Sequence, residues 1–234
     1  MVQTDLQAAL KHKYRLPSGT PVVSVTAISG LLDIGGKSSA FAGAAVKLTK
    51  QGVDYRAEWR AKAERGTRVH TYCEAFLRGE PAEVAEGDGG FVDALEKWMV
   101  AERPVMRAQE CIVLSDTGYG GRLDLLATIN GEEWLIDVKG GKPYPIEHTL
   151  QLAAYRYADG VAIYDEAGAL KSIDSPPLRR IERAGCLYLR EDGTYSMTPY
   201  PADHDAFLTF RQLLDAHRWA TSDAMKALEK EARK

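Results

Sequence analysis

Two periodicities divide the chain. Apolar positions recur near helical spacing at Trp59, Ala63, Val69, Cys73, Phe76 and Leu77. Residues 56–78 hold neither proline nor a run of turn residues, which predicts a helix there. Gly66 leaves room for two helices meeting at a corner, and Gly79, Glu80 and Pro81 form a stop. Further helices are predicted over 38–50, which is alanine-rich, over 91–101 and over 146–159. A long charged helix over 204–232 closes the chain. In the middle the period shortens to two, and strands are predicted over 108–114, 121–129 and 133–139. Two more, over 184–190 and 194–198, flank a turn at Asp192 and Gly193. Near the start, Val22 to Thr26 is β-branched and reads as extended, running into a short helix over 27–32. This order predicts one α/β domain, a central mixed β-sheet flanked by helices. It would span residues 1–234, with a lead-in segment and helices over about 1–50, a core over about 54–200 and a C-terminal helix over 203–234.

Composition narrows the class. A chain of 234 residues, 45% apolar and 27% charged, is ordinary for a globular protein and large enough for one core. Thirty Lys and Arg against 33 Asp and Glu give a net charge of −3. That excludes a strongly basic coat for nucleic acid but leaves open a basic groove. Cys73, Cys111 and Cys186 lie far apart with no CxxC. A zinc knuckle and a thiol redox pair are therefore not expected, and neither is an iron–sulfur cluster held by four cysteines of one chain. No apolar run reaches the roughly 18 residues that span a bilayer, and the first residues lack the apolar stretch of a signal peptide. The expectation is a soluble, cytoplasmic protein in a reducing compartment, with no membrane partner.

The chemistry concentrates in one hairpin. Asn130-Gly131 is a strong signal for a type I′ turn, which needs positive φ at both positions. Asp124 lies six positions before the turn and Asp137 six after it, so the two acids should face each other across adjoining strands. Like charges directly opposite destabilise a sheet, and a cation between them relieves the repulsion. Lys139, two positions after Asp137, projects from the same face, while Val138 turns into the core. Two carboxylates and a lysine converging on a sheet suit a hydrolytic Mg²⁺ site, because magnesium takes hard oxygen ligands and polarises phosphoryl oxygens. A solvated Asp–Lys pair on an exposed hairpin face is the alternative.

Gly121-Arg122-Leu123-Asp124, then Asp137-Val138-Lys139, then Gln151-Leu152-Ala153-Ala154-Tyr155 resembles the PD-(D/E)XK nuclease superfamily. The Gln151 to Tyr155 helix is similar to that of its RecB-like branch, which includes many bacteriophage exonucleases. Gly66-Thr67-Arg68-Val69-His70 resembles the branch's helical G-x-x-x-H segment, and Val23-Ser24-Val25-Thr26 the opening segment of its phage members. Together these motifs cover about residues 20–190. The superfamily's proline is absent, since Gly121-Arg122-Leu123 precedes Asp124, as in other RecB-like members.

The resemblance implies a metal-dependent DNA exonuclease of phage recombination, replication or repair, working in the bacterial host cytoplasm. It implies Mg²⁺ or Mn²⁺ held by His70, Asp124, Asp137 and the backbone carbonyl of Val138, with Glu110 a further acid near the site. Lys139 would be the catalytic lysine. Gln151 and Tyr155 would line the site and touch DNA phosphate. A structure-specific endonuclease is the alternative activity, and an inert nuclease-like DNA-binding or interaction subunit the alternative class. DNA is the expected partner, alongside a homo-oligomer or a single-strand annealing partner.

Several of these residues have ordinary readings as well. His70 could be a core histidine, Tyr155 a core tyrosine with a wet hydroxyl, and Glu110 a structural or peripheral acid. Glu74, four after His70, could orient its ring or be solvated. Arg65, Arg68 and Lys142 are candidate phosphate contacts, as are Arg179, Arg180 and Arg183, but each could equally lie on a solvated face. Trp98 and Tyr144 could stack on bases or belong to the core.

Overall fold

The Asn130-Gly131 turn has positive φ at both residues, 51° and 85°, which asparagine tolerates and glycine adopts freely. It closes a hairpin whose rungs run from Ile129 opposite Glu132 to Leu125 opposite Ile136. Continued by one rung, this register sets Asp124 opposite Asp137, as the counting from the turn predicts. The structure, a computed structural model, describes residues 5–32, 37–174 and 178–233. Residues 1–4 and 33–36 of the expected lead-in segment and residue 234 of the expected C-terminal helix lie outside the described residues.

The elements in chain order begin with α1 (Asp5–Ala9), β1 (Tyr14–Arg15), β2 (Pro21–Ser24), α2 (Val25–Ser29), α3 (Lys37–Lys50), α4 (Tyr55–Arg78) and α5 (Gly89–Glu102). The hairpin region supplies β3 (Val105–Ser115), β4 (Tyr119–Ile129) and β5 (Glu132–Lys139), followed by α6 (Pro145–Arg156). Then come β6 (Gly160–Tyr164), β7 (Leu170–Asp174), β8 (Arg183–Leu189), β9 (Tyr195–Pro199), α7 (His204–Ala220) and α8 (Asp223–Ala232).

The main sheet runs β7-β6-β3-β4-β5-β8-β9, with β2 joining β4 and β1 joining β2. It is mixed: β3, β4 and β5 are antiparallel neighbours, whereas β5 pairs with β8, and β2 with β4, in parallel. Helices cover both faces. On one, Leu150, Ala154 and Tyr155 of α6 and Phe210 and Leu214 of α7 pack on Leu123, Leu135 and Cys186. On the other, Val69 and Cys73 of α4 and Phe91, Leu95 and Trp98 of α5 pack on Leu125, Ile136, Val138 and Leu187. The result is a single α/β domain of restriction-endonuclease-like arrangement.

Four details depart from the pattern reading. The α4 helix runs unbroken through Gly66, with Asp54 capping its start by accepting from Arg56 N (2.9 Å) and Gly79 ending it in the left-handed region. The long C-terminal helix divides at Thr221, and Ser222 caps α8 by accepting from Met225 N. Val25 and Thr26 begin α2 instead of extending β2. Strands β6 and β7 extend the sheet where no strand is predicted.

Two glycines give opposite expectations. A Cβ at Gly121 would come 2.5 Å from Tyr155 Cε1 and 3.2 Å from Val25 Cγ2. A Cβ at Gly66, inside α4, would meet nothing within 4 Å. Gly121→Ala should lower unfolding stability by about 1–3 kcal/mol through overpacking. Gly66→Ala should raise it by about 1 kcal/mol through helix propensity. Urea unfolding of both variants checks the pair.

Candidate active site

Leu123 and Leu125 are two apart on one strand and should share a face. Instead Leu123 packs with α6 and Leu125 with α4 and α5. The strand therefore turns over at Asp124. Here β4 and β5 part, and the Asp124 carboxylate accepts the Val138 N–H at 2.7 Å. The next rung across is affected too. Between the rungs Gln109–Leu125 and Cys111–Leu123, the position opposite Asp124 is Glu110. Its φ is +52°, a left-handed conformation rarely adopted by a non-glycine residue within a strand.

Three ligand-bearing side chains meet at this break. One ligand atom each from His70, Glu110 and Asp124 lies within 4.8 Å of the others. His70 comes from α4, the helix that crosses this face of the sheet, and its Nδ1 is 3.6 Å from Asp124 Oδ2. Arg122 Nε lies 2.8 Å from Glu110 Oε2. That buried oxygen nonetheless has no hydrogen-bond partner among the described residues. Burial and the neighbouring Asp124 carboxylate push the Glu110 carboxyl up to about 7, against the pull of Arg122. The cluster thus pairs hard oxygen donors with one imidazole and crowds two carboxylates, one oxygen of which meets the Arg122 charge without an aligned hydrogen bond. These residues fit a divalent cation, which would satisfy that oxygen and relieve the repulsion.

A second group adjoins the first. Asp137, 2% exposed, pairs with Lys139 Nζ at 2.5 Å. Gln151 Nε2 donates to Asp137 Oδ1 (3.1 Å) and to the Tyr155 hydroxyl (2.9 Å), and Lys139 Nζ donates to Gln151 Oε1 at 3.4 Å. Cys186, opposite Asp137 on β8, points its Sγ at Oδ2 from 3.8 Å. Burial raises the Asp137 carboxyl above its ordinary value and Lys139 opposes the rise. Burial works against the Lys139 charge, but Asp137 and Asp124 outweigh it and hold the ammonium firmly protonated. Burial together with Asp137 holds the Tyr155 phenol well above its usual range. The arrangement presents a fixed cation beside a carboxylate, next to a three-donor cluster.

Asp124, Asp137, Lys139, Gln151, Tyr155 and His70 lie together around this break, the first three placed by the count from the turn and the others named by the resemblance, and the Val138 side chain is buried on the opposite face. Glu110, read both as a further acid near the site and as a structural or peripheral one, sits within the cluster. Gln151 and Tyr155 are buried, and Gln151 donates both to Asp137 and to the Tyr155 hydroxyl. Glu74 pairs with Arg78 instead of orienting His70. Trp98 is fully buried in the core. Arg65 and Arg68 do not stand free: Arg68 Nε donates to Asp88 Oδ2 at 2.7 Å, and Arg65 lies 3.7 Å from Asp88 and 2.9 Å from Glu191. Arg183 is held by Glu132, and Lys142 is exposed in the loop after β5. The pattern reading passed over Arg122 and Cys186. Arg122 was accessible by period two from Asp124, whereas Cys186 depends on a parallel register that no local pattern encodes.

No family model and no curated protein matches this chain. Among solved structures it is similar to SSO0001, at 14% identity over 94% of this chain and 84% of that one, with a TM-score of 0.41. It is also similar to LHK-Exo, solved in complex with dAMP, at 14% identity over 91% of this chain and 93% of that one, with a TM-score of 0.42.

Asp88 carries an acid-stability signature. It is 1% exposed, and its hydrogen bond from Arg68, helped by Tyr72 and Arg65, holds its carboxyl below the usual range. A depressed folded-state value contributes stability above the unfolded value of about 3.9 and loses it as pH falls through the folded one. Asp88→Asn should therefore be clearly less stable than wild type at pH 7. The gap should narrow below about pH 4, and melting curves across pH measure it.

Proposed function

We propose that the protein is a Mg²⁺- or Mn²⁺-dependent DNA exonuclease that hydrolyses phosphodiester bonds. The supporting observation is the His70–Glu110–Asp124 cluster lying beside the buried Asp137–Lys139 pair at the parting of β4 and β5. The two groups together meet the needs of phosphoryl transfer, where catalysis is positioning plus charge stabilisation. His70, Glu110 and Asp124 would hold the metal, joined by Asp137 and the Val138 carbonyl. When bound, the metal supplies Lewis-acid polarisation of a phosphoryl oxygen and a water of lowered pKa. Lys139, kept protonated by Asp137, offers its ammonium to the charge that develops on the phosphate. Gln151 fixes the Asp137 carboxylate from behind, and Tyr155 fixes Gln151.

On this reading residues 54–200 form the nuclease core, and DNA is the substrate. Lys142, exposed in the loop that follows Lys139 on β5, would meet a phosphate, whereas Arg65 and Arg68 are engaged by Asp88. Among the described residues, no helix is long and apolar enough to cross a membrane. A cytoplasmic role in phage DNA recombination, replication or repair, with a second copy or a strand-annealing partner keeping the enzyme on DNA, completes the proposal.

The test is digestion of end-labelled linear duplex, single-stranded DNA and closed circular DNA with Mg²⁺, Mn²⁺ or chelator. Linear DNA should be lost only with metal, and the circle should survive. Lys139→Ala and Asp137→Ala should each slow digestion by at least about a hundredfold while retaining a cooperative unfolding transition. Cutting by either variant at the wild-type rate would refute the assignment, and cutting of the circle would move it to an endonuclease.

A further inference from the structure

Arg122 precedes Asp124 by two residues on β4 and reaches across to β3. Its Nε approaches Glu110 Oε2 to 2.8 Å, yet that buried oxygen has no hydrogen-bond partner among the described residues. The contact is therefore a charge contact without the aligned fork that makes arginine–carboxylate pairs strong. Glu110 is at the same time held with φ at +52°, so its backbone is constrained at the rung it shares with Asp124. The guanidinium is not locked in place: the Arg122 side chain is 26% exposed, which leaves it solvent to move into.

We propose that Arg122 is a resident counter-cation that competes with the divalent metal for Glu110. It neutralises the crowded Glu110 and Asp124 carboxylates in the metal-free protein, and it withdraws from Glu110 when the metal enters. The inference rests on the metal-site reading above. The physical reason is charge balance. Without metal, the crowded Glu110 and Asp124 carboxylates favour a neighbouring cation, and among the described residues Arg122 is the cation paired with Glu110. With metal, a guanidinium against the same oxygen meets like-charge repulsion in a partly buried site, where screening by water is weak. A residue that merely oriented Glu110 for the metal would strengthen metal binding, so the two roles predict opposite signs.

The experiment is calorimetric titration of MnCl₂ into wild type, Arg122→Gln and Arg122→Lys, with melting curves in chelator and in saturating Mn²⁺. Arg122→Gln should bind Mn²⁺ about threefold to tenfold more tightly than wild type, and Arg122→Lys should stay near wild type. In chelator Arg122→Gln should melt about 2–4 °C lower, and in saturating Mn²⁺ at or above wild type. Unchanged or weaker Mn²⁺ binding by Arg122→Gln would overturn the proposal and leave the metal site standing. Absence of Mn²⁺ binding by wild type would remove both. If Arg122→Gln fails to fold, the Arg122 Nε–H resonance of wild type, assigned with Arg122→Lys, decides under Mg²⁺ titration. It should shift as Mg²⁺ binds, and a resonance that stays put while Mg²⁺ binds would overturn the inference.

Discussion

One hydrogen bond organises the centre of this molecule: the Val138 N–H given to the Asp124 carboxylate at 2.7 Å. In an unbroken antiparallel ladder that amide would be satisfied within the sheet. Here β4 and β5 separate after the Leu125–Ile136 rung, and a side chain takes up the amide. A buried backbone donor left unpaired costs about 1–3 kcal/mol, so the strands can part only if a group such as Asp124 is present. The parting opens the sheet where α4 crosses it, and His70 enters at that point. The strand reversal that sends Leu123 and Leu125 to different cores has the same origin.

The surroundings of Asp137 follow from the same opening. Its carboxylate is buried among Lys139, Gln151 and Cys186. A buried ion pair carries a desolvation cost that its own attraction offsets only with good geometry and further hydrogen bonds. A hydrophobic pair would stabilise the sheet as well, so stability alone does not account for these charges. They lie beside the His70, Glu110 and Asp124 cluster. Gly121 belongs to this support, because the Tyr155 ring lies where its Cβ would stand.

The local parts of the fold were legible in the sequence. Asn130-Gly131 set the hairpin, and counting from it placed Asp124, Asp137 and Lys139 without any long-range information. The α4 helix followed from its apolar spacing and its glycine stop. What escaped depends on topology or on backbone detail. Residues 160–164 form a short apolar run that helix and strand share, so β6 became visible only beside β3. Cys186 reaches Asp137 through the parallel β5–β8 register. Glu110 was named through the resemblance, but the left-handed backbone that carries it into the cluster is announced by no side-chain pattern. The division of the last helix at Thr221 needed the Ser222 cap, a signal that the continuous charge pattern concealed.

The central claim is that the parting of β4 and β5 creates a divalent-cation site with Asp124 at its hub. Mn²⁺ titration of wild type beside Asp124→Asn, followed by calorimetry and by the paramagnetic resonance of free Mn²⁺, tests it most directly. The account predicts saturable binding by wild type and at least about tenfold weaker binding by the variant, since one anionic ligand is lost. Equal binding by the two proteins, or no binding by wild type, would contradict it.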